Sequence, residues 1–188
     1  MKVSSLKRSI TYSQICFWLT MALCVALAPA SLSANSGISY FGHHILTIIP
    51  FEVGVFATAY FLLGATKAIG ANQQLRFLVW CLWLMIVGVI GIAILPAIGD
   101  GLLDHLHRLF GILAFVTQLV LSAWLIVNFR NNVTSWLIYC LQILGGIIAL
   151  IYLQPANGFS IEGQLLFQLA FSVIMGRALL RMADNITA

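Results

Sequence analysis

The run FLVWCLWLMIVGVIGIAILPAI, Phe77 to Ile98, contains no charged side chain. A helix apolar on every side has to be buried or sit in lipid, and this one has the roughly 20 residues needed to cross a bilayer. Five further apolar runs can be read, at approximately Ile15–Leu32, Leu46–Ala65, Leu109–Phe129, Trp136–Leu153 and Leu165–Leu180. The 188-residue chain is 62% hydrophobic and 7% charged, with a mean hydropathy of +1.04, far from the roughly 25% charged content of soluble domains. The expected fold is all-α: a polytopic membrane protein built as a six-transmembrane-helix bundle, one integral membrane domain over residues 1–188. The longest connection, about Ser33 to Ile45, is too short for a soluble core of its own. Any site must therefore lie between helices or at their ends.

Charge sets the expected orientation. If the amino terminus is cytoplasmic, Lys2, Lys7, Arg8, Lys67, Arg76, Arg130, Arg177 and Arg181 all fall inside, and Arg108 alone of the nine basic residues falls outside. Lys and Arg in short loops resist translocation, so this asymmetry predicts both termini in the cytoplasm. Trp80, Trp83, Trp124 and Trp136 gather toward the same inner ends, where an indole keeps its ring in lipid and its N–H near headgroups. Lys7 and Arg8, an apolar run and Ala28–Pro29–Ala30 can also be read as a cleavable leader. The run from Ile15 to Leu32 exceeds the 7–15 residues of a typical leader core, so a retained first helix is expected.

The four cysteines, Cys16, Cys24, Cys81 and Cys140, match no metal knuckle or redox pair and read as small packing residues. The net charge of +4 is scattered over membrane-flanking segments, which argues against nucleic-acid binding. There is no Gly-x-Ser-x-Gly elbow and no phosphate-binding loop. Pro50 sits near a helix start, Pro96 near the end of the third span where it can kink the chain, and Gly145–Gly146 permits a bend or a close helix approach.

Within the spans, Gln118, Gln142, Gln168 and Ser172 form a candidate intramembrane polar seam. In the last span Gln164, Gln168, Ser172 and Gly176 recur every four residues, so they share a stripe that should face protein. That stripe reads either as a polar pathway for a transported solute or as hydrogen-bonding glue between helices.

With the expected topology His43, His44, Glu52, Asp100, Asp104, His105, His107, Arg108 and Glu162 all lie at the outer face. The stretch GDGLLDHLHRLFG, Gly99 to Gly111, is the centre of this cluster. On a helix Asp100, Asp104, His107 and Arg108 share a face and His105 points elsewhere. A metal site would need His43 or His44 with Asp104 and His107, leaving a position for water, with Glu52 or Glu162 as base or orienting partner. Haem ligation, with His43 or His44 opposite His107, and pH sensing are further readings of the histidines, but no cofactor is expected. The acids also have a structural reading, because Glu52, Asp100, Asp104 and Glu162 fall near helix starts, where a carboxylate meets free backbone N–H groups, and Ser160 can cap the last helix.

SGISYFGHH in the first outer loop, followed by a proline-containing helix start and DHLHRLFGILAF, resembles the bacterial multi-pass family called domain of unknown function 998 (DUF998). The resemblance covers about residues 12–182. It implies a six-helix protein of a bacterial cytoplasmic membrane and supplies no activity. The function expected is therefore a non-enzymatic binding, sensing or assembly role at the outer face. Its expected partners are membrane lipids or another membrane protein. A metal-dependent hydrolase and a small transporter with a glutamine-lined seam are the alternatives.

Overall fold

The computed structural model describes residues 3–32, 37–70, 72–95, 101–151 and 161–187. Lys2, Pro96, Asp100 and Ser160, each given a part by sequence, lie outside them. Six long helices make up the molecule: α1 (Val3–Leu27), α2 (Ile48–Ile69), α3 (Arg76–Ile94), α4 (Leu102–Phe129), α5 (Val133–Ile151) and α6 (Ile161–Thr187). Short 3-10 turns at Pro29–Leu32, Ile38–Gly42 and Gln73–Leu75 complete the regular structure of the described residues. All six long helices have the length and apolarity to cross a membrane, with mean hydropathy between 1.5 and 2.7. The chain is an all-α, multi-pass membrane bundle.

Three helices outrun their apolar runs by about two turns or more. α1 starts at Val3 rather than near Ile15, α4 at Leu102 rather than near Leu109, and α6 spans Ile161–Thr187 rather than Leu165–Leu180. Hydropathy marks where lipid stops, whereas the helix continues as long as it has a face to bury. Leu6, Ile10 and Ser13 are buried at helical spacing on α1, in line with Met21 and Cys24 farther along.

The helices pack as a closed ring with one attached strut. α1 lies on α2, α2 on α3, α3 on α4, α4 on α6, and α6 returns to α1, while α5 rests against α6 and α4. Leu78, Leu82, Leu121 and Leu125 fill the interior with no exposed surface. The outward faces are just as apolar: Leu19 is 66% and Tyr60 70% exposed, surface that only lipid would cover favourably. Cys24 and Cys81 are buried as small packing residues, whereas Cys140 is exposed on α5.

α5 and α6 meet backbone to backbone. A Cβ added at Gly145 would stand 2.6 Å from the Phe167 backbone nitrogen and 2.9 Å from the Gly163 oxygen. A Cβ at Gly163 would stand 2.8 Å from the Gly145 oxygen and collide with the Ala149 backbone nitrogen. Small residues let two backbones touch where lipid provides no hydrophobic drive for association. The glycine pair in α5 thus serves as a close approach.

Gly163→Val should cost roughly 1–3 kcal/mol, because the obstacle is backbone that cannot rotate away. Gly111→Ala, where a Cβ meets nothing within 4 Å, should be neutral or stabilising by about 0.5–1 kcal/mol. Thermal unfolding in detergent checks this; equal melting temperatures for the two variants would refute the α5–α6 interlock.

Candidate functional site

The chain between α1 and α2 folds over one end of the bundle and brings two histidines with it. Thr47, the N-cap residue of α2, donates its hydroxyl to the Phe41 carbonyl at 2.8 Å. The backbone N–H of Ile38 donates to Gln164 Oε1 of α6 at 2.6 Å. Phe41 is fully buried between these anchors. Held in this way, the His43 ring faces His107 of α4, with ring centroids 6.4 Å apart. His44 turns instead onto Tyr40, at 5.3 Å.

His107 is buried and its Nδ1 lies 2.6 Å from the carbonyl oxygen of Leu95, at the C-terminal end of α3. A carbonyl can only accept, so Nδ1 carries the hydrogen and donates it to Leu95. The bond also satisfies a carbonyl that the end of α3 leaves without a helical partner. Three residues before His107, Asp104 is buried in the first turn of α4, and Arg108 Nε stands 2.7 Å from its Oδ2. The Arg108 side chain is 51% exposed and lies over a carboxylate that is 7% exposed. Sharing of one face by Asp104, His107 and Arg108 is therefore real, with His105 exposed elsewhere.

His43 and His107 come together, but Asp104 is engaged by Arg108 and His44 by its own turn. Among the described residues no three His, Cys, Asp or Glu side chains form a group that could hold a metal ion. The set of His43, Asp104 and His107 is thus not assembled as ligands. The helix-start reading of the acids holds for Asp104 and Glu162, which lie in first turns. It fails for Glu52: α2 begins at Ile48, so the first turn has already closed. Glu52 instead lies beside the Ile38–Gly42 turn, its Oε1 3.8 Å from where a Cβ of Gly42 would stand.

The intramembrane polar residues divide between two seams. Ser172 has the Gln14 Oε1 and the Gln168 carbonyl as alternative acceptors for its single hydroxyl hydrogen and accepts from Trp18 Nε1 at 3.1 Å, so the α6 stripe faces α1. Gln118 and Gln142 belong to α4 and α5, away from that network, and both are buried. Gln14 and Trp18 had no place in the sequence-derived seam, since Gln14 precedes the apolar run that marks the first span. The four-residue repeat on α6 was the signal that a partner helix must carry polar groups. No family model, no curated protein and no solved structure matches the chain.

Burial holds the His43 imidazole below its ordinary 6.5, and the opposing His107 ring pushes it the same way. A histidine with a lowered value favours the folded state above about 6.5, and that contribution is lost as pH falls through the lowered value. His43 should accordingly titrate below 6.5 by NMR, and His107→Gln should bring its midpoint part of the way back, leaving the share due to burial. An unchanged midpoint in the variant would show that the two rings are not coupled.

Proposed function

We propose that this chain is a non-enzymatic binding and assembly protein of a bacterial cytoplasmic membrane, with both termini in the cytoplasm and the histidine end outward. The eight-to-one distribution of Lys and Arg supports that orientation.

One observation carries the binding reading: a groove between α1 and α6 that is open along the flank of the bundle. It is lined by Ile10, Thr11, Gln14, Ile15, Trp18, Ser172, Gly176 and Leu179 and encloses about 260 Å³. That volume falls below the roughly 300–1,000 Å³ of small-molecule sites and suits a length of one hydrocarbon chain. A Cβ at Gly176 would meet nothing within 4 Å, so the groove is open there. Exposed Lys7, Arg8 and Arg181 lie one turn beyond its cation-rich end. Each basic side chain near a membrane surface attracts anionic headgroups by about 1 kcal/mol. The occupant is an anionic phospholipid, its acyl chain in the groove and its phosphate among these three cations. At the other end of the molecule His107 and Asp104 are taken up by structural bonds, which weighs against hydrolysis.

Phosphatidylglycerol should be retained through detergent purification in preference to phosphatidylethanolamine, as read by native mass spectrometry. Gly176→Leu, which fills the groove without touching other helices, should lose it. Replacing Lys7, Arg8 and Arg181 with Gln should weaken retention about tenfold or more, whereas Lys67→Gln with Arg76→Gln should not. Equal retention by wild type and Gly176→Leu would sink the groove. Near-stoichiometric zinc in purified wild type, lost in His43→Ala and His107→Ala, would move the protein to the metallohydrolase class.

A further inference from the structure

Buried polar atoms without a hydrogen-bond partner are concentrated in one place. Of the eight such atoms among the described residues, Asp104 Oδ2 is ion-paired with Arg108 and Ser31 Oγ lies in the Pro29–Leu32 turn; the other six, Gln118 Oε1, Ser122 Oγ, Ser135 Oγ, Gln142 Oε1, Gln142 Nε2 and Arg177 Nε, lie on α4, α5 and α6. Gln142 and Ser122 have no exposed surface, Ser135 has 1% and Gln118 has 4%. A donor or acceptor removed from water and left unpaired is costly, and one such atom is an exception in a folded protein. Six in one seam call for a common partner.

The helix contacts bring these groups to neighbouring levels. A Cβ at Gly146 of α5 would collide with the Phe115 ring of α4, which makes Gly146 and Phe115 level. Phe115 stacks on Phe167 of α6, ring centroids 4.1 Å apart and planes 17° from parallel. Gln142 is one turn from Gly146, and Gln118 and Ser122 are one and two turns from Phe115 on the same side of α4. Because α4 and α5 run in opposite directions, all three lie on the arginine side of the aromatic stack. Ser135 continues the α5 stripe, about 16 Å from the level of Gly146. There the Arg177 guanidinium reaches Asn132 Oδ1 at 3.4 Å, and Arg130 Nε donates to the Arg177 carbonyl at 3.5 Å. Asn132 is exposed. On the far side of the stack the Gly145–Gly163 backbone contact leaves no gap between α5 and α6.

We propose that the α4–α5–α6 seam is an aqueous inlet, entered between Asn132 and Arg177 and ended by the Phe115–Phe167 stack. Water and small uncharged hydrogen-bonding molecules bind the groups that Gln118, Ser122, Ser135 and Gln142 leave unpaired. The selectivity follows from the lining: amides and hydroxyls offer both donors and acceptors, no carboxylate is present, and the Arg177 charge at the entrance repels cations. This site is separate from the lipid groove, which lies on the α1 side of α6.

The test uses full-length protein in liposomes, with Cys16, Cys24, Cys81 and Cys140 replaced by Ala. Ser122→Cys and Gln142→Cys are exposed to an uncharged hydrophilic methanethiosulfonate, with lipid-facing Val120→Cys as the depth-matched control. Labelling at least tenfold faster at positions 122 and 142 than at 120 is expected; equal rates at all three overturn the inlet. Gln142→Leu supplies a reading that needs no introduced cysteine. In a dry seam, removing the unpaired amide should raise Tm by roughly 2–4 °C or more; in a hydrated one Tm stays level or falls. A raised Tm overturns the proposal, and where a cysteine variant elutes as aggregate the Gln142→Leu result decides.

Discussion

Hydrocarbon offers no hydrogen bonds, so every polar group carried into the bundle needs a partner within the protein or in water the protein admits. Several hydroxyls meet this demand locally. Ser13 donates to the Ile10 carbonyl, Thr58 to Gly54 and Thr66 to Leu63, each bond closing on its own helix. The contacts between helices are thereby left to glycines and apolar side chains. Where polar groups do cross between helices, they mark the places where the bundle is tied together or opened.

Ties are concentrated at the histidine end. Three connections that would otherwise leave backbone groups unsatisfied are closed by side chains from distant elements: Gln164 takes the Ile38 N–H, Thr47 the Phe41 carbonyl and His107 the Leu95 carbonyl. The same bonds give His107 its tautomer and set its distance from His43. The arrangement is a pair of imidazoles beside an Arg–Asp pair. It lacks the third converging ligand that would favour a metal.

The two polar seams differ in how completely they are paired. Between α1 and α6, Gln14, Trp18 and Ser172 satisfy one another, and the opening beside them is an apolar groove that ends among cations. Between α4, α5 and α6 the Gln142 amide and the Gln118 Oε1 have no protein partner. A paired seam holds two helices together and offers surroundings a hydrocarbon chain can share. An unpaired seam calls for something with hydrogen bonds of its own, which is why the two are assigned different occupants.

Composition and periodicity alone established six apolar helices, their order and the all-α class, because lipid imposes a length and an apolarity that any reader of the sequence can count. The common face of Asp104, His107 and Arg108 was legible too, since helical spacing of three and four is a local rule. So was the need for the Gln164–Gln168–Ser172 stripe to meet protein. Which helix it meets was not: Gln14 and Trp18 answer it from more than 150 positions away, and hydropathy ended the first span before Gln14. The ring order of the helices, the Gly145–Gly163 contact and the division of four polar residues between two seams depend on which faces touch. Sequence spacing defines the face of one helix, but the partner of that face is chosen by packing summed over the whole bundle.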